Sequence, residues 1–360
     1  MSKIKLSASR LKTLSSCSWI YWCNYVLDLP KDSNTGQIMG SCVHNVFEYL
    51  GGEKDREQFK KIIEAGTIKV SEKIEKDVID FLMKNGMEPE SMVVSSSKES
   101  LTCFELVDRM ILEGLSHDFF GDNFENLKEA HSEIKFDIPK NESGKAYHIY
   151  GFIDKLFIYK DGIHAKIRDY KSSKNKFEGK DLDDNVQSLM YQLAVRTLYP
   201  SLEQTETEFV FLQFKNGTGI VNIDPVCNTE LEGFEFYLTE VQKVVDNFTY
   251  EKAISNLSKS KGYLPKYDGF GGMVQCGKNK TPDELSPDGT KKWGCSLKFA
   301  GFYWVIQDKN GKTVDSKNSK EELRELKEGE SIVKKIYEGC PAWKNLEYNS
   351  NFLKKHLTSF

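Results

Sequence analysis

Hydrophobic positions in residues 151–171, GFIDKLFIYKDGIHAKIRDYK, form two short runs separated by Lys160-Asp161-Gly162. An Asp-Gly pair between β-rich runs is a strong local hairpin signal, so the pattern predicts two antiparallel strands. Residues two apart share a face of a strand. Ile163, Ala165, Ile167, Asp169 and Lys171 therefore lie on one side of the second strand, and Asp154 shares a side of the first with Leu156 and Ile158. Both apolar rows end in charge. Such groups are costly to bury unless paired or metal-bound, and the pattern leaves two readings open: a hard-cation site built from oxygen ligands, or a solvated salt-bridge cluster at a hairpin end.

The same reasoning extends along the chain. Residues 6–30 carry an apolar stripe of Leu11, Leu14, Ile20 and Tyr21, interrupted by Ser15-Ser16-Cys17, with Ser7 or Ser9 as a helix cap. The aromatic cluster Trp19, Tyr21, Trp22 and Tyr25 suits either core packing or a stacking platform for bases. Val43, Val46, Phe47 and Leu50 repeat at helical spacing, with His44 at the border of that stripe. Residues 59–83 and 101–115 also read as helix, and residues 88–97 as loop.

Residues 129–138 alternate as a strand, in which Glu133, Lys135 and Asp137 interleave with Ile134, Phe136 and Ile138. A turn at residues 141–144 leads into the hairpin. Asp183-Asp184 offers the cap of a further helix that stops at Pro200, with Gln187 and Tyr191 adjacent on its surface. Strands at residues 208–214 and 220–223 and a helix at residues 231–245 follow. Beyond about residue 258 the chain is rich in Gly, Pro, Asp and Lys, then predicts a hairpin at residues 299–314 and a charged helix. Helix, three strands, helix, strands, helix is the order of an α/β or α+β sheet flanked by helices.

Composition narrows the class. The 360 residues are 39% hydrophobic and 29% charged, ordinary for a soluble globular protein, and no apolar run approaches the length needed to span a bilayer. The N-terminus lacks the apolar core of a signal peptide, so the expectation is a soluble, cytoplasmic protein without a membrane partner. A net charge of −4 argues against a wholly basic surface but leaves room for a local basic groove such as that of Lys171, Lys174, Lys176 and Lys180. Eight cysteines in a reducing compartment are not a disulfide framework; Cys103 and Cys227 read as core or strand-end thiols. No phosphate-binding loop of a nucleotide-driven motor is present.

Taken together, five of these stretches resemble the PD-(D/E)XK nuclease superfamily, and within it the RecB-like and AddB-like exonucleases. They are LSASRLKTL with Cys17, Gly40 to His44, Gly151-Phe152-Ile153-Asp154, Arg168-Asp169-Tyr170-Lys171-Ser172-Ser173, and Gln187 with Tyr191. Their order and spacing agree across residues 4–200. The resemblance implies a restriction-endonuclease-like α/β fold, a mixed sheet core flanked by helices. It also implies three parts: N-terminal helices with the histidine motif at 1–125, a nuclease core at 126–258 and a cysteine-containing extension at 259–360.

The resemblance further implies Mg²⁺ or Mn²⁺ held by His44, Asp154, Asp169 and the main chain of Tyr170, with Lys171 positioning or activating water. Glu133 matches a supporting glutamate, with Glu129 as its competitor, and Gln187 and Tyr191 would orient the scissile DNA strand. Many relatives place the first ligand of an iron–sulfur cluster at the position of Cys17. Cys276, Cys295 and Cys340 supply three more thiolates for a [4Fe–4S] cluster or structural zinc, although more widely spaced than in the family, and Cys23 is a possible substitute. The implied activity is metal-dependent DNA exonucleolysis in recombination, repair or replication, and the compact size admits a phage or mobile-element origin. The same fold and residues also admit an endonuclease, an RNase or a non-catalytic DNA-binding subunit.

Overall fold

The computed structural model describes residues 4–31, 34–95, 100–179, 182, 185–258, 276–287, 289 and 291–357. Contacts gather the chain into two compact units, Met1–Ala8 with Ser33–Lys243, and Ser9–Asp32 with Val244–Phe360. This grouping differs from the three parts expected above. Residues 9–32 pack with the C-terminal part because Trp19, Cys23 and Leu29 share a core with Ala253 and Leu257. In chain order α1 (Ala8–Ser16) and α2 (Ser18–Tyr25) come first, and they are described with the second unit.

In the first unit α3 (Thr35–Leu50) buries Val43, Val46, Phe47 and Leu50, and its start is fixed by a reciprocal Asn34–Gln37 capping box. The helical periodicity of residues 59–83 resolves into α4 (Arg56–Ala65) and α5 (Glu72–Lys84). Gly66, at φ +66°, ends α4 in the left-handed conformation that glycine tolerates best. Residues expected as loop contain β1 (Val93–Ser95), paired antiparallel with β2 (Ser100–Thr102). Thr102 and Glu105 then cap α6 (Cys103–Ser116). The apolar faces of α3, α5 and α6 form a core that also takes in Tyr170, Val210 and Leu212.

The sheet of this unit contains β3 (Leu127–Glu142), β4 (Lys145–Tyr159), β5 (His164–Lys171), β6 (Gln204–Phe211) and β7 (Ile220–Ile223), in that spatial order. All neighbours are antiparallel except β5 and β6, which run parallel. The parallel pair requires a crossover, supplied by α7 (Val186–Leu198). Asn185 caps α7 by accepting from Ser188 N; the expected cap, Asp183-Asp184, lies outside the described residues, as does Lys180. Helix α8 (Asn228–Asp246) follows β7. The mixed sheet flanked by helices is the architecture the element order implied.

In the second unit Cys17, in extended conformation at φ −160° and ψ 114°, separates α1 from α2. Trp19 and Tyr21 are buried, and Tyr21 packs on Phe248 at 4.9 Å between ring centroids. For these two aromatics, packing prevails over a stacking platform. The unit continues with α9 (Tyr250–Ser255), β8 (Gly301–Gln307), β9 (Thr313–Lys317), β10 (Ser331–Tyr337) and α10 (Glu347–Leu357). β8 lies between β10 and β9 in an antiparallel sheet.

A helix after the hairpin forms at α10, which carries Glu347 in its first turn and Lys354, Lys355 and His356 in its last, whereas the charged residues 320–328 form turns and irregular chain. Arg324 grips both carboxylate oxygens of Glu330 at 2.7 and 2.8 Å, and Glu330 also accepts from Lys327 N at 2.8 Å, so local side-chain bonds replace helical ones. Cys103 is buried in the core, whereas Cys227 is exposed in the connection that follows β7. Among the described residues no helix is long and apolar enough to cross a membrane.

Candidate active site

The hairpin turn is held by Asp161, whose Oδ1 accepts from the amides of Ile163 and His164 at 3.0 Å each, with Gly162 at φ +75°. From there β4 and β5 pair over Lys155–Ile158 and Ala165–Arg168. Beyond that ladder Asp154 Oδ2 accepts from the Tyr170 amide at 2.8 Å. A carboxylate thus takes the place of a strand at the fork, which fixes its position.

Glu133 lies opposite Asp154, between the register pairs Ser132↔Lys155 and Ile134↔Ile153. Its backbone is at φ +51°, a left-handed conformation that costs a non-glycine residue roughly 1–3 kcal/mol. Glu129 instead pairs with Ile158, and its carboxylate is held by His131 at 3.0 Å and Lys128 at 2.9 Å. The register that alternation left open therefore brings Glu133, not Glu129, to Asp154. Burial, then the charge of Asp154, pushes the Glu133 carboxyl up to about 7.

Helix α3 brings in the imidazole. It approaches β5 closely at Gly40, where an added Cβ would sit 2.5 Å from Ser172 Oγ. One turn on, His44 donates from Nε2 to the Tyr170 carbonyl at 3.2 Å, and its Nδ1 lies 3.5 Å from Asp154 Oδ1. Burial opposes a charge on this ring, but Asp154, then Asp169 and Glu133, outweigh it and hold the pKa up to about 9. Ligand atoms of His44, Glu133 and Asp154 all lie within 4.8 Å of one another. One imidazole and two carboxylates, half-buried together, fit a divalent cation.

Asp169 is not in that group of three. Its Oδ2 meets the Lys171 ammonium at 2.5 Å, and its Oδ1 accepts from Gln187 Nε2 at 2.8 Å and from the Tyr191 hydroxyl at 3.1 Å. Gln187 Oε1 in turn accepts from Lys171 at 2.8 Å. Burial raises the Asp169 pKa, the charge of Asp154 adds to that, and Lys171 opposes it. Gln187 and Tyr191 direct their polar groups at Asp169, and Tyr191 is only 7% exposed, so in this structure they brace the acid and its lysine. The Tyr170 carbonyl, an expected ligand, is engaged by His44 and keeps a second lone pair.

Sequence reasoning missed two buried neighbours. Lys155 donates to Ser132 Oγ at 2.7 Å and sits over the Phe119 ring. Burial, with Arg168 nearby, lowers its pKa to about 7. Arg168 pairs with Glu208 at 2.5 Å, with both side chains buried. Their chemistry was visible, but strand alternation alone does not distinguish a covered charge from a solvated one.

The candidate cluster cysteines Cys17, Cys23, Cys276, Cys295 and Cys340 lie in the second unit. Cys295 N donates to the Cys276 carbonyl at 3.3 Å. Burial pushes the Cys340 thiol up to about 12, and Cys17, Cys295 and Cys276 add to the shift. Cys23 is likewise raised to about 12 by burial, with contributions from Cys340, Cys295 and Cys17. Among the described residues their sulfurs do not converge within 4.8 Å.

Comparison with known proteins bears on the arrangement. One match is a subunit of an ATP-dependent helicase/deoxyribonuclease from Clostridium perfringens, 26% identical over 212 residues. The alignment covers 54% of this chain and 17% of that protein, so the chain spans under a fifth of that relative. A crystal structure of a candidate exonuclease from Eubacterium rectale aligns with a TM-score of 0.39 at 14% identity, covering 68% of this chain and 81% of that one. The family model of the PD-(D/E)XK nuclease superfamily matches residues 5–257, which include the five motifs, the mixed sheet and the acidic site, and the chain belongs to that superfamily.

Proposed function

We propose that the chain is a metal-dependent deoxyribonuclease that degrades DNA from its ends, acting in recombination, repair or replication. The observation that supports this most is the convergence of His44, Glu133 and Asp154 beside the Lys171–Asp169 pair. With its Nε2 hydrogen committed to Tyr170, His44 offers Nδ1 to Mg²⁺ or Mn²⁺. Asp154 and Glu133 are its companions, and Asp169 and the Tyr170 carbonyl are further oxygen donors. When bound, the ion supplies Lewis acidity, which acidifies water and offsets phosphate charge.

The remaining work falls to side chains. Lys171 donates to a phosphate oxygen or to the attacking water, so charge that develops on the phosphoryl oxygens meets a fixed ammonium. Gln187 keeps that ammonium beside Asp169 by accepting from one and donating to the other. Water adds to phosphorus as the bond to the leaving oxygen breaks, giving a phosphate monoester and a hydroxyl end.

The test compares end-labelled linear, circular, single-stranded and duplex DNA with Mg²⁺ or Mn²⁺. Linear DNA should shorten from its ends while circles persist, and Lys171→Ala should abolish cleavage. Nicked circles would make the protein an endonuclease. DNA that is bound yet left intact with either cation would make it a non-catalytic binding subunit.

A second metal centre is proposed for Cys17, Cys276, Cys295 and Cys340, with Cys23 as a substitute. Cys17, Cys23 and Cys340 share one apolar core cluster, and Cys295 N donates to the Cys276 carbonyl at 3.3 Å, which favours it. Four thiolates suit either a [4Fe–4S] cluster or a structural zinc. Protein purified anaerobically and free of iron, zinc and sulfide would eliminate this centre.

A further inference from the structure

We propose that the solvent face of the β3–β4 hairpin, beside the cation site, grips single-stranded DNA: Phe152 stacks on a base next to the scissile bond, and Lys135 meets a phosphate of the same strand. The proposal rests on the nuclease reading and deepens it by naming the form of DNA that the site takes.

Residues two apart share a face of a strand, and the ladder keeps one register from Ser132↔Lys155 to Pro139↔His148. Phe152 and Tyr150 therefore follow Asp154 along one face of β4, and their cross-strand partners Lys135 and Asp137 follow Glu133 along the same face of β3. Burial agrees with this alternation. The opposite face buries Phe136, Ile138, Ile149 and Ile153, whereas Lys135 and Asp137 are exposed and Phe152 is 46% exposed. Two strand residues span about 7 Å, so a group lying over Phe152 adjoins the carboxylates of Asp154 and Glu133.

A lone exposed apolar side chain is ordinary; the surroundings of Phe152 set it apart. Its ring meets that of Tyr150 edge to face, 5.6 Å between centroids at 86°. The ammonium groups of Lys5 and Lys135 lie 5.2 and 5.6 Å from the Tyr150 centroid. Tyr150 is thus engaged by cations and keeps them beside Phe152. The one acid in this row, Asp137, accepts from Lys5 and from His148 Nε2, the latter at 2.5 Å, so its charge is matched locally and does not cancel that of Lys135.

An exposed ring with a cation across the strand from it matches the two parts of a nucleotide. A base offers a π-face to the ring, and the adjoining phosphate offers charge to the ammonium; this pairing holds single strands without reading their sequence. In a duplex the base faces are hidden within the stack, so Phe152 serves an unpaired base, whereas Lys135 serves the backbone of either form. The row is continuous with the cation site, so a strand lying along it reaches Asp154 and Glu133 without leaving the hairpin.

Three substitutions separate ring from charge. Phe152→Leu keeps an apolar side chain without a π-face, Phe152→Trp keeps a ring, and Lys135→Gln removes the ammonium. Binding to the full chain is read by fluorescence anisotropy in EDTA, so that cleavage plays no part. The probes are a labelled single-stranded DNA oligonucleotide, an abasic strand of the same length, which carries the phosphates without the bases, and a blunt duplex.

Phe152→Leu should bind the base-bearing strand about tenfold more weakly and the abasic strand and duplex as wild type does, and Phe152→Trp should restore the loss. Lys135→Gln should weaken both single strands and lower the slope of log affinity against log salt by about 0.7. Unchanged binding by Phe152→Leu, an equal loss on the abasic strand, or a salt slope indifferent to Lys135→Gln overturns the proposal. If Phe152→Leu does not fold, wild type decides, and equal affinity for base-bearing and abasic strands overturns the stacking. Cleavage with Mg²⁺ or Mn²⁺ judges the chemistry separately. A chain that binds in this way without cutting would refute the nuclease reading and leave the grip standing, and one that cuts without these binding differences would do the reverse.

Discussion

Asp154 Oδ2 accepts the main-chain amide of Tyr170 at 2.8 Å, where β4 and β5 part. One oxygen of the acid thus completes the hydrogen bonding of a neighbouring strand while the other, Oδ1, faces His44 at 3.5 Å. Structure and chemistry share one side chain, and substitutions can separate them.

Asp154→Ala strands a buried amide and should destabilise the fold by about 1–3 kcal/mol. Asp154→Asn retains an acceptor oxygen and should unfold close to wild type, yet bind Mn²⁺ far more weakly for want of a carboxylate. Urea denaturation and calorimetric titration of both variants check this. Equal stability of the two would mean that the Tyr170 contact contributes nothing.

Gly40 marks the closest approach of α3 to the end of β5. Gly40→Ala should cost about 1–3 kcal/mol through overpacking against Ser172 and should also displace His44, with loss of Mn²⁺ affinity. Adding Ser172→Gly removes the obstructing side chain and should recover most of both. A double variant no better than Gly40→Ala, by thermal melting and titration, would exclude this contact as the cause.

Protons compete with the cation. His44 holds its proton to about 9 and Glu133 to about 7, and an ion binds only the deprotonated forms. Both values lie above the ordinary 6.5 and 4.5. In metal-free protein, the stability these groups lend is therefore complete at low pH and is lost through about 7 for Glu133 and about 9 for His44. The rise in melting temperature on adding Mn²⁺ should accordingly grow between about pH 6 and about pH 9. A metal-induced shift indifferent to pH would contradict this.

The buried pair Arg168–Glu208 joins β5 to β6 just before Asp169. Glu208→Ala leaves a buried guanidinium without its counter-charge and should cost about 3–5 kcal/mol. Arg168→Met combined with Glu208→Leu should regain part of that. The recovery is incomplete because Arg168 also donates to the carbonyls of His117 and Asp118. Chemical denaturation of wild type and the two variants measures the difference.

Much of this was legible in the chain because it is local. The Asp-Gly turn, the α3 stripe and the Gln187–Tyr191 spacing depend on neighbours within a turn or two, and each forms near its expected place. What was not legible depends on long-range register. Alternation could not choose between Glu129 and Glu133, because the choice is made by the β3–β4 pairing. Nor could it foresee that Asp169 would engage Lys171, Gln187 and Tyr191 while Glu133 joins His44 and Asp154, since α7 is placed by the crossover between β5 and β6. The charged run at residues 320–328 has helical composition but yields to the Arg324–Glu330 pair and to the span between β9 and β10.

Glu133 keeps its backbone in a left-handed conformation in the middle of β3. Glycine would adopt that geometry with less strain, and in doing so would remove the acid. Any laboratory search for sturdier variants of this protein will therefore be drawn toward Glu133→Gly, trading a candidate cation ligand for heat resistance. A library selected on survival alone should enrich that exchange, and each round needs a counter-screen for cation uptake to retain working molecules.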